Sequence, residues 1–225
     1  MDKFKDFLLN LFFPKFCLGC GKEGVYLCDD CRATLDIREF DFGPHDKKPL
    51  KNLSGLYFAL PYGERALTKK LIHQFKYQPY TKDLAKTLAG ILIEHLVISK
   101  KNTDEIWNNS VLIPVPLDKK KLRSRGYNQS EELARELSKI MQVPVISDNL
   151  VKIKSTKPQM ELSKEQREKN LENAFTIKNP ADIAGKKVFL VDDVYTTGST
   201  MEECAKVLRD SGAKSVWGIC IAREE

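Results

Sequence analysis

The period of the hydrophobic positions changes along the chain, and each change marks an element. Phe4, Phe7, Leu8, Leu11 and Phe12 recur at helical spacing and predict an amphipathic helix docked on the protein itself. A polar stretch with Pro44, Pro49 and Lys47-Lys48 predicts a linker over residues 45–52. Leu53–Leu60 then reads as a strand. Leu67, Leu71, Ile72 and Phe75 line one face of a helix over Glu64–Lys76, and Leu84, Leu88, Ile91, Leu92 and His95 do so over Asp83–Ile98. A continuous apolar run predicts a strand over Val111–Val115. Leu133, Leu137, Ile140 and Met141 stripe a helix over Ser130–Met141. Short strands are expected at Leu150–Ile153 and Ala174–Ile177, on either side of a polar stretch. A strand over Val188–Val191, a helix over Ser199–Asp210 and a strand over Ser215–Ala222 complete the pattern.

Strands that alternate with helices and are apolar on both faces imply an α/β fold, a parallel sheet flanked by helices. Cys220, inside the run Val216–Ile221, is expected in the core. Cys204 shares a helical face with Met201, Ala205 and Leu208 and reads as packing. His73 and His95 lack partners at ligand spacing and read as ordinary helix residues.

Composition adjusts this picture in few ways. The chain has 225 residues, 42% hydrophobic and 30% charged, which suits one large folded domain or one domain with an appendage. A chain of this length buries roughly 70% of its unfolded surface and needs no covalent staples. Thirty-seven Lys and Arg against 31 Asp and Glu leave +6, enough to permit an anionic partner without requiring one. No run reaches the roughly 18 apolar residues of a membrane span. The apolar N-terminus carries Asp6 and Asn10 and precedes no small-residue cleavage site, so it does not read as a signal peptide. A cytoplasmic, reducing location is therefore expected, and there clustered Cys are metal ligands sooner than disulfides.

Four of the six Cys stand in two Cys-x-x-Cys pairs, Cys17/Cys20 and Cys28/Cys31. Each pair places two thiolates on one ion from a tight turn, and together they form a small four-cysteine zinc ribbon. The zinc would be structural, because four protein ligands leave no open position. A redox pair and an iron site of the same geometry are the other readings. The chain is thus expected to divide into residues 1–50, holding the N-terminal helix and zinc ribbon, and residues 51–225.

The most specific chemistry lies over Val188–Thr200. A buried strand delivers Asp192 and Asp193 at its carboxyl end, and the loop Thr196-Thr197-Gly198-Ser199-Thr200 opens a helix. Ligands of open α/β sheets bind at this end of the strands. Loop amides, hydroxyls and the helix N-terminus suit a phosphate, and ionised carboxylates can only accept hydrogen bonds, which suits vicinal hydroxyls. A sugar phosphate fits both halves. The plain reading is a surface turn before a helix capped by Thr197 or Ser199. That reading leaves the two carboxylates at the end of a buried strand unexplained.

This segment resembles the phosphoribosyl-diphosphate (PRPP) signature of type I phosphoribosyltransferases. Ile113-Pro114-Val115-Pro116-Leu117, the basic run Lys119–Arg125 with Gly126-Tyr127-Asn128-Gln129-Ser130, Lys157-Pro158-Gln159, Arg167-Glu168-Lys169-Asn170 and Ala174-Phe175 resemble the ComF (ComFC) competence-protein family. So does a Cys-rich ribbon ahead of a transferase-like domain. The resemblance implies that Asp192 and Asp193 hold ribose hydroxyls and that Thr196, Thr197, Gly198, Ser199 and Thr200 hold the 5′-phosphate. It implies that Arg125 and Gly126 form a diphosphate loop. Gln159 and Arg167 belong to a closing loop over residues 154–170, and Mg²⁺ is carried largely by substrate and water. The sequence ends shortly after Ala222, so any hood over an acceptor is expected from residues 53–80 or the ribbon. Lys69, Lys70, Lys76 and Tyr77 lie there; contact with a polyanion is one reading of them and solvated helix groups the commoner one.

Three functions follow as expectations. One is a PRPP-using transferase with an unidentified acceptor, acting in DNA uptake. A second is a non-catalytic partner of a ComFA-type helicase that binds single-stranded DNA, with Lys119–Arg125 as phosphate contacts. Ordinary purine salvage is the third, and the ribbon is superfluous to it.

Overall fold

The computed structural model describes residues 14–37, 50–63, 66–77, 81–101, 104–154 and 171–224. The expected helix over residues 4–12, most of the expected linker, and residues 155–170 of the expected closing loop lie outside them.

In chain order the elements are α1 (Asp29–Arg32), β1 (Gly55–Pro61), α2 (Ala66–Lys76), α3 (Leu84–Ile98), α4 (Asp104–Trp107), β2 (Ser110–Pro114), α5 (Lys119–Arg125), α6 (Gln129–Met141), β3 (Leu150–Lys152), β4 (Phe175–Ile177), β5 (Lys187–Tyr195), α7 (Ser199–Asp210) and β6 (Ser215–Arg223). Four strands form a parallel sheet in the order β1-β6-β5-β2. Strand alternation feeds two cores. Tyr57, Leu112, Phe189, Val191 and Ile219 pack with α2, α3 and α6. Leu56, Ile113, Val188, Leu190 and Cys220 pack with α7 and the β3–β4 pair. Cys204 and Cys220 are fully buried, as their apolar neighbours imply.

Several elements differ from the sequence reading. β5 runs on to Tyr195, because β6 continues to pair with it at Asp192↔Cys220, Val194↔Ala222 and Tyr195↔Arg223. The acidic pair therefore lies within the strand, two residues before its end. β3 and β4 do not join the parallel sheet but pair antiparallel with each other. Residues 119–125, read as part of a loop, form a helix. Asp118 caps it by accepting from the Lys120 amide at 2.9 Å, and Gly126, at φ 77°, ends it in the left-handed region. The helix buries no residue, so no hydrophobic stripe announced it.

The ribbon packs on α3. Leu27 and Leu35 enter the core that α2, α3 and α6 share. Arg32 of α1 donates from Nε and Nη2 to Glu94 Oε2, at 2.8 and 2.6 Å, and from Nη2 to the Gly90 carbonyl at 3.2 Å. At the start of β1, Gly55 lies under Trp217, whose ring stacks on Tyr57 at 5.4 Å. A Cβ on Gly55 would fall 2.2 Å from the Trp217 ring. Gly55→Ala is expected to cost about 1–3 kcal/mol by overpacking. Thermal unfolding checks this, and in a Trp217→Leu background the added cost should disappear.

Candidate functional site

The chain leaves β2 and β5 toward opposite faces of the sheet: α6 packs in one core and α7 in the other. A crevice therefore opens at the carboxyl ends of these adjacent strands, where open α/β sheets bind ligands. Asp192 and Asp193 lie just before the end of β5 at this edge, and Gly198 is the N-cap of α7.

The two carboxylates are held differently. Asp193 is buried, 5% exposed, and its Oδ1 lies 2.8 Å from Lys76 Nζ at the end of α2. Asp192 is half-buried. Its Oδ1 accepts from Ser130 Oγ at 2.9 Å and from the Asp193 amide at 2.9 Å. Burial first, and the Asp193 carboxylate second, push Asp192 up to about 7, against the pull of Lys76 and these hydrogen bonds. Burial works against the Lys76 charge, yet Asp193 and then Asp192 hold its ammonium above the ordinary lysine range. The sequence reading gave neither Lys76 nor Ser130 a role at the acidic pair. Each meets the acidic pair only through the fold, and their local patterns are those of ordinary helix residues. Lys69 and Lys70 are exposed, as a solvated helix face requires, and Lys76 is not.

The turn after β5 is built close. Gly198 has φ 78°, and a Cβ there would fall 2.1 Å from Tyr195 Oη. Gly198, which has no side chain, occupies the N-cap position of α7, and Thr197 Oγ1 accepts from the Ser199 amide at 3.5 Å, the contact that the capped-helix reading expects. Thr197 Oγ1 also lies 3.0 Å from Ser199 Oγ. Thr196 is exposed, Thr197 and Thr200 are half-buried, and Gly198 and Ser199 are buried. Amides and hydroxyls thus line a short turn at a helix N-terminus, an arrangement that favours an anion.

Arg125 and Gly126 stand on the neighbouring connection from β2. Arg125 Nη1 donates to Gln129 Oε1 at 2.9 Å, and its guanidinium lies 5.6 Å from the Tyr77 ring centre. Gln129 adjoins Ser130, so this turn is tied to the end of β5 through the Ser130–Asp192 bond. Gln159 and Arg167 lie outside the described residues.

At the other end of the chain, the ligand atoms of Cys17, Cys20, Cys28 and Cys31 all lie within 4.8 Å of one another. Sγ of Cys28 is 3.6 Å from those of Cys17 and Cys20. Zinc–sulfur bonds of about 2.3 Å in a tetrahedron set sulfur–sulfur edges of about 3.8 Å, so the set fits one metal ion such as zinc. Gly19 is required here, because a Cβ would fall 2.5 Å from Cys31 Sγ. Burial opposes ionisation of Cys17, but hydrogen bonds from the backbone at Cys28, Cys20 and Gly19 bring its thiol down to about 6. Cys31 is pushed up to about 12 by its hydrogen bonds with the Cys28 and Cys17 sulfurs. A bound cation is what lets four such thiols ionise together.

The raised carboxyl of Asp192 makes a pH-dependent prediction. The folded protein keeps this proton to about pH 7, whereas the ordinary value is 3.8. The stability this proton contributes is complete below the lower value and is lost as pH rises through the higher one. Asp192→Asn should therefore gain stability relative to the wild type across that window, by up to about 1.4 kcal/mol per pH unit. Denaturant titrations from about pH 4 to pH 8 check it, and parallel curves would contradict it.

No helix among the described residues is long and apolar enough to cross a membrane. The family model "Phosphoribosyl transferase domain" matches residues 85–224. Competence protein F of Haemophilus influenzae is 36% identical over 156 residues, covering 68% of this chain and 67% of that protein. The DNA utilization protein YhgH of Escherichia coli K12 is 33% identical over 153 residues, covering 68% and 66%. Competence protein ComFC of Bacillus subtilis is 35% identical over 115 residues, covering 50% and 44%. The chain thus spans about two thirds of the length of the first two relatives. With the domain match running through both connections that frame the crevice, these identities make the chain a member of the ComF/ComFC family, built on a phosphoribosyltransferase-type domain.

Proposed function

We propose that the crevice binds PRPP, or a similar sugar phosphate, together with Mg²⁺, and that the protein transfers the phosphoribosyl group to an acceptor. The observation that carries this reading is the acidic pair near the end of β5, followed by a Thr-Gly-Ser turn that opens α7. In this reading Asp192 and Asp193 accept hydrogen bonds from the ribose hydroxyls. Thr196, Thr197, Gly198, Ser199 and Thr200 receive the 5′-phosphate. Arg125 and the backbone at Gly126 face the diphosphate, and Gln159 and Arg167 belong to the segment that closes over it. Two carboxylates, one of them paired with Lys76, are no dedicated cation cage. Mg²⁺ would ride on substrate oxygens and water, neutralising the leaving diphosphate. As the bond from the anomeric carbon to the diphosphate breaks, positive charge develops on that carbon and the acceptor attacks it. The chain's part is to orient the ribose, neutralise the departing charge and exclude water.

Across the whole chain, residues 1–50 would form a unit clamped by one structural Zn²⁺ on Cys17, Cys20, Cys28 and Cys31, and residues 51–225 the transferase-type domain. We place this protein in the cytoplasm, and the competence and DNA utilization names of the relatives support a role in DNA uptake and natural transformation. A second reading rests on α5, where Lys119, Lys120, Lys121 and Arg123 are all exposed. It makes the protein a non-catalytic partner of a ComFA-type helicase that contacts single-stranded DNA through phosphates.

Micromolar to millimolar PRPP with Mg²⁺ should raise the unfolding temperature, with about 2.7 kcal/mol of stabilisation at a hundredfold excess over Kd. The Asp192→Asn/Asp193→Asn variant should lose the rise, and no rise in the wild type would overturn the reading. Salt-sensitive binding of single-stranded DNA, lost on charge reversal at Lys119, Lys120 and Lys121, would favour the second reading. Elemental analysis should find one zinc per chain. Chelation or Cys31→Ser should lower the unfolding temperature, and an unchanged temperature after metal removal would exclude a structural role.

A further inference from the structure

We infer that Lys76 is the built-in counter-cation of the acidic pair, a positioning residue that acts through Asp193 to keep the pair able to receive ribose hydroxyls. This inference rests on the sugar-phosphate reading of the site. Lys76 Nζ lies 2.8 Å from Asp193 Oδ1, with the two side chains only 23% and 8% exposed. Ion pairs on a solvated surface contribute little, whereas removing one partner of a buried pair strands the other charge. Lys76 ends α2, and that end is fixed by its neighbours. The Phe75 carbonyl accepts from Tyr127 Oη at 2.8 Å and from Gln129 Nε2 at 3.4 Å. Arg125 lies against Tyr77. The ammonium is thus delivered to Asp193 from an anchored helix end. Lys76 also precedes residues 85–224, so the domain match assigns it no role.

The electrostatic consequence is specific. With Lys76 present, two ionised carboxylates on adjacent residues carry a local charge of about −1 rather than −2. An ionised carboxylate only accepts hydrogen bonds, whereas a protonated one also donates. Among the described residues, other groups that act on the pair include the Ser130 hydroxyl, the Asp193 amide and the thiols of Cys204 and Cys220, and Tyr77 stands beside Lys76. None of these brings a positive charge. Without Lys76, the pair would hold a proton to higher pH and present a donor where a ribose hydroxyl needs an acceptor.

A double-mutant cycle without ligand tests the inference: Lys76→Met, Asp193→Asn and both together, unfolded by denaturant from about pH 5 to pH 9. The two changes should be non-additive. Lys76→Met should move the pH midpoint of the Asp192 transition upward by about one unit, a tenfold gain in proton affinity, while Lys76→Arg leaves it in place. Additive effects with an unmoved midpoint would overturn the inference. If Lys76→Met does not fold, Lys76→Gln supplies the same midpoint. A second arm titrates Mg²⁺–PRPP. Lys76→Met should weaken binding by roughly tenfold or more near pH 7, with the loss shrinking as the pair ionises at higher pH. A loss of constant size across pH would mark a merely structural role and overturn the inference. A wild type that ignores PRPP would defeat the sugar-phosphate reading, while the ligand-free cycle would still decide whether Lys76 governs the pair.

Discussion

Two neighbouring carboxylates near the end of a strand that is buried on both faces repel each other where water screens them poorly, and the site depends on how that repulsion is relieved. The chain uses three devices. Lys76 pairs with Asp193, Ser130 donates to Asp192, and the Asp193 amide turns back onto Asp192. These devices come from α2, from α6 and from β5 itself, so the packing of both helices on the sheet is a condition for the charges to coexist. The relief is incomplete, which is why Asp192 sits near neutrality.

The same packing joins the metal-binding end of the chain to the crevice. α3 receives Arg32 from the ribbon through Glu94 and the Gly90 carbonyl, and Leu27 and Leu35 enter the core shared with α2. α2 in turn carries Lys76. Loss of the four-sulfur cluster would loosen contacts one layer away from the acidic pair. This gives the ribbon a physical connection to the site through shared core residues.

Much of this was legible in the residues. Two-sided apolar runs located the strands, and three-and-four spacing located α2, α3, α6 and α7 to within about two residues, the usual uncertainty at element ends. Two Cys-x-x-Cys pairs announced the sulfur cluster, and the acidic pair before a Thr-Gly-Ser turn announced the crevice. The helix over 119–125 leaves no periodic sign because it buries nothing, and without an apolar stripe only its capping Asp118 and terminal Gly126 mark it. Charged residues read as loop, which ends β5 too early in the sequence. Pairing with β6 holds them in the strand. The separate β3–β4 pair was equally hidden, since three-residue strands carry too few positions to show which sheet they join.

Residue order alone sufficed for most of the elements, the parallel sheet, the thiol set and the identity of the two carboxylates, because each of these is written in local period or local spacing. Packing in three dimensions settled what surrounds those carboxylates. It chose Lys76 over Lys69 and Lys70 as their counter-charge, brought Ser130 across from α6, and required glycine at position 198 by laying Tyr195 against it. The counter-charge and the hydroxyl depend on distances between residues far apart in the chain, and such distances exist only once the helices have packed on the sheet.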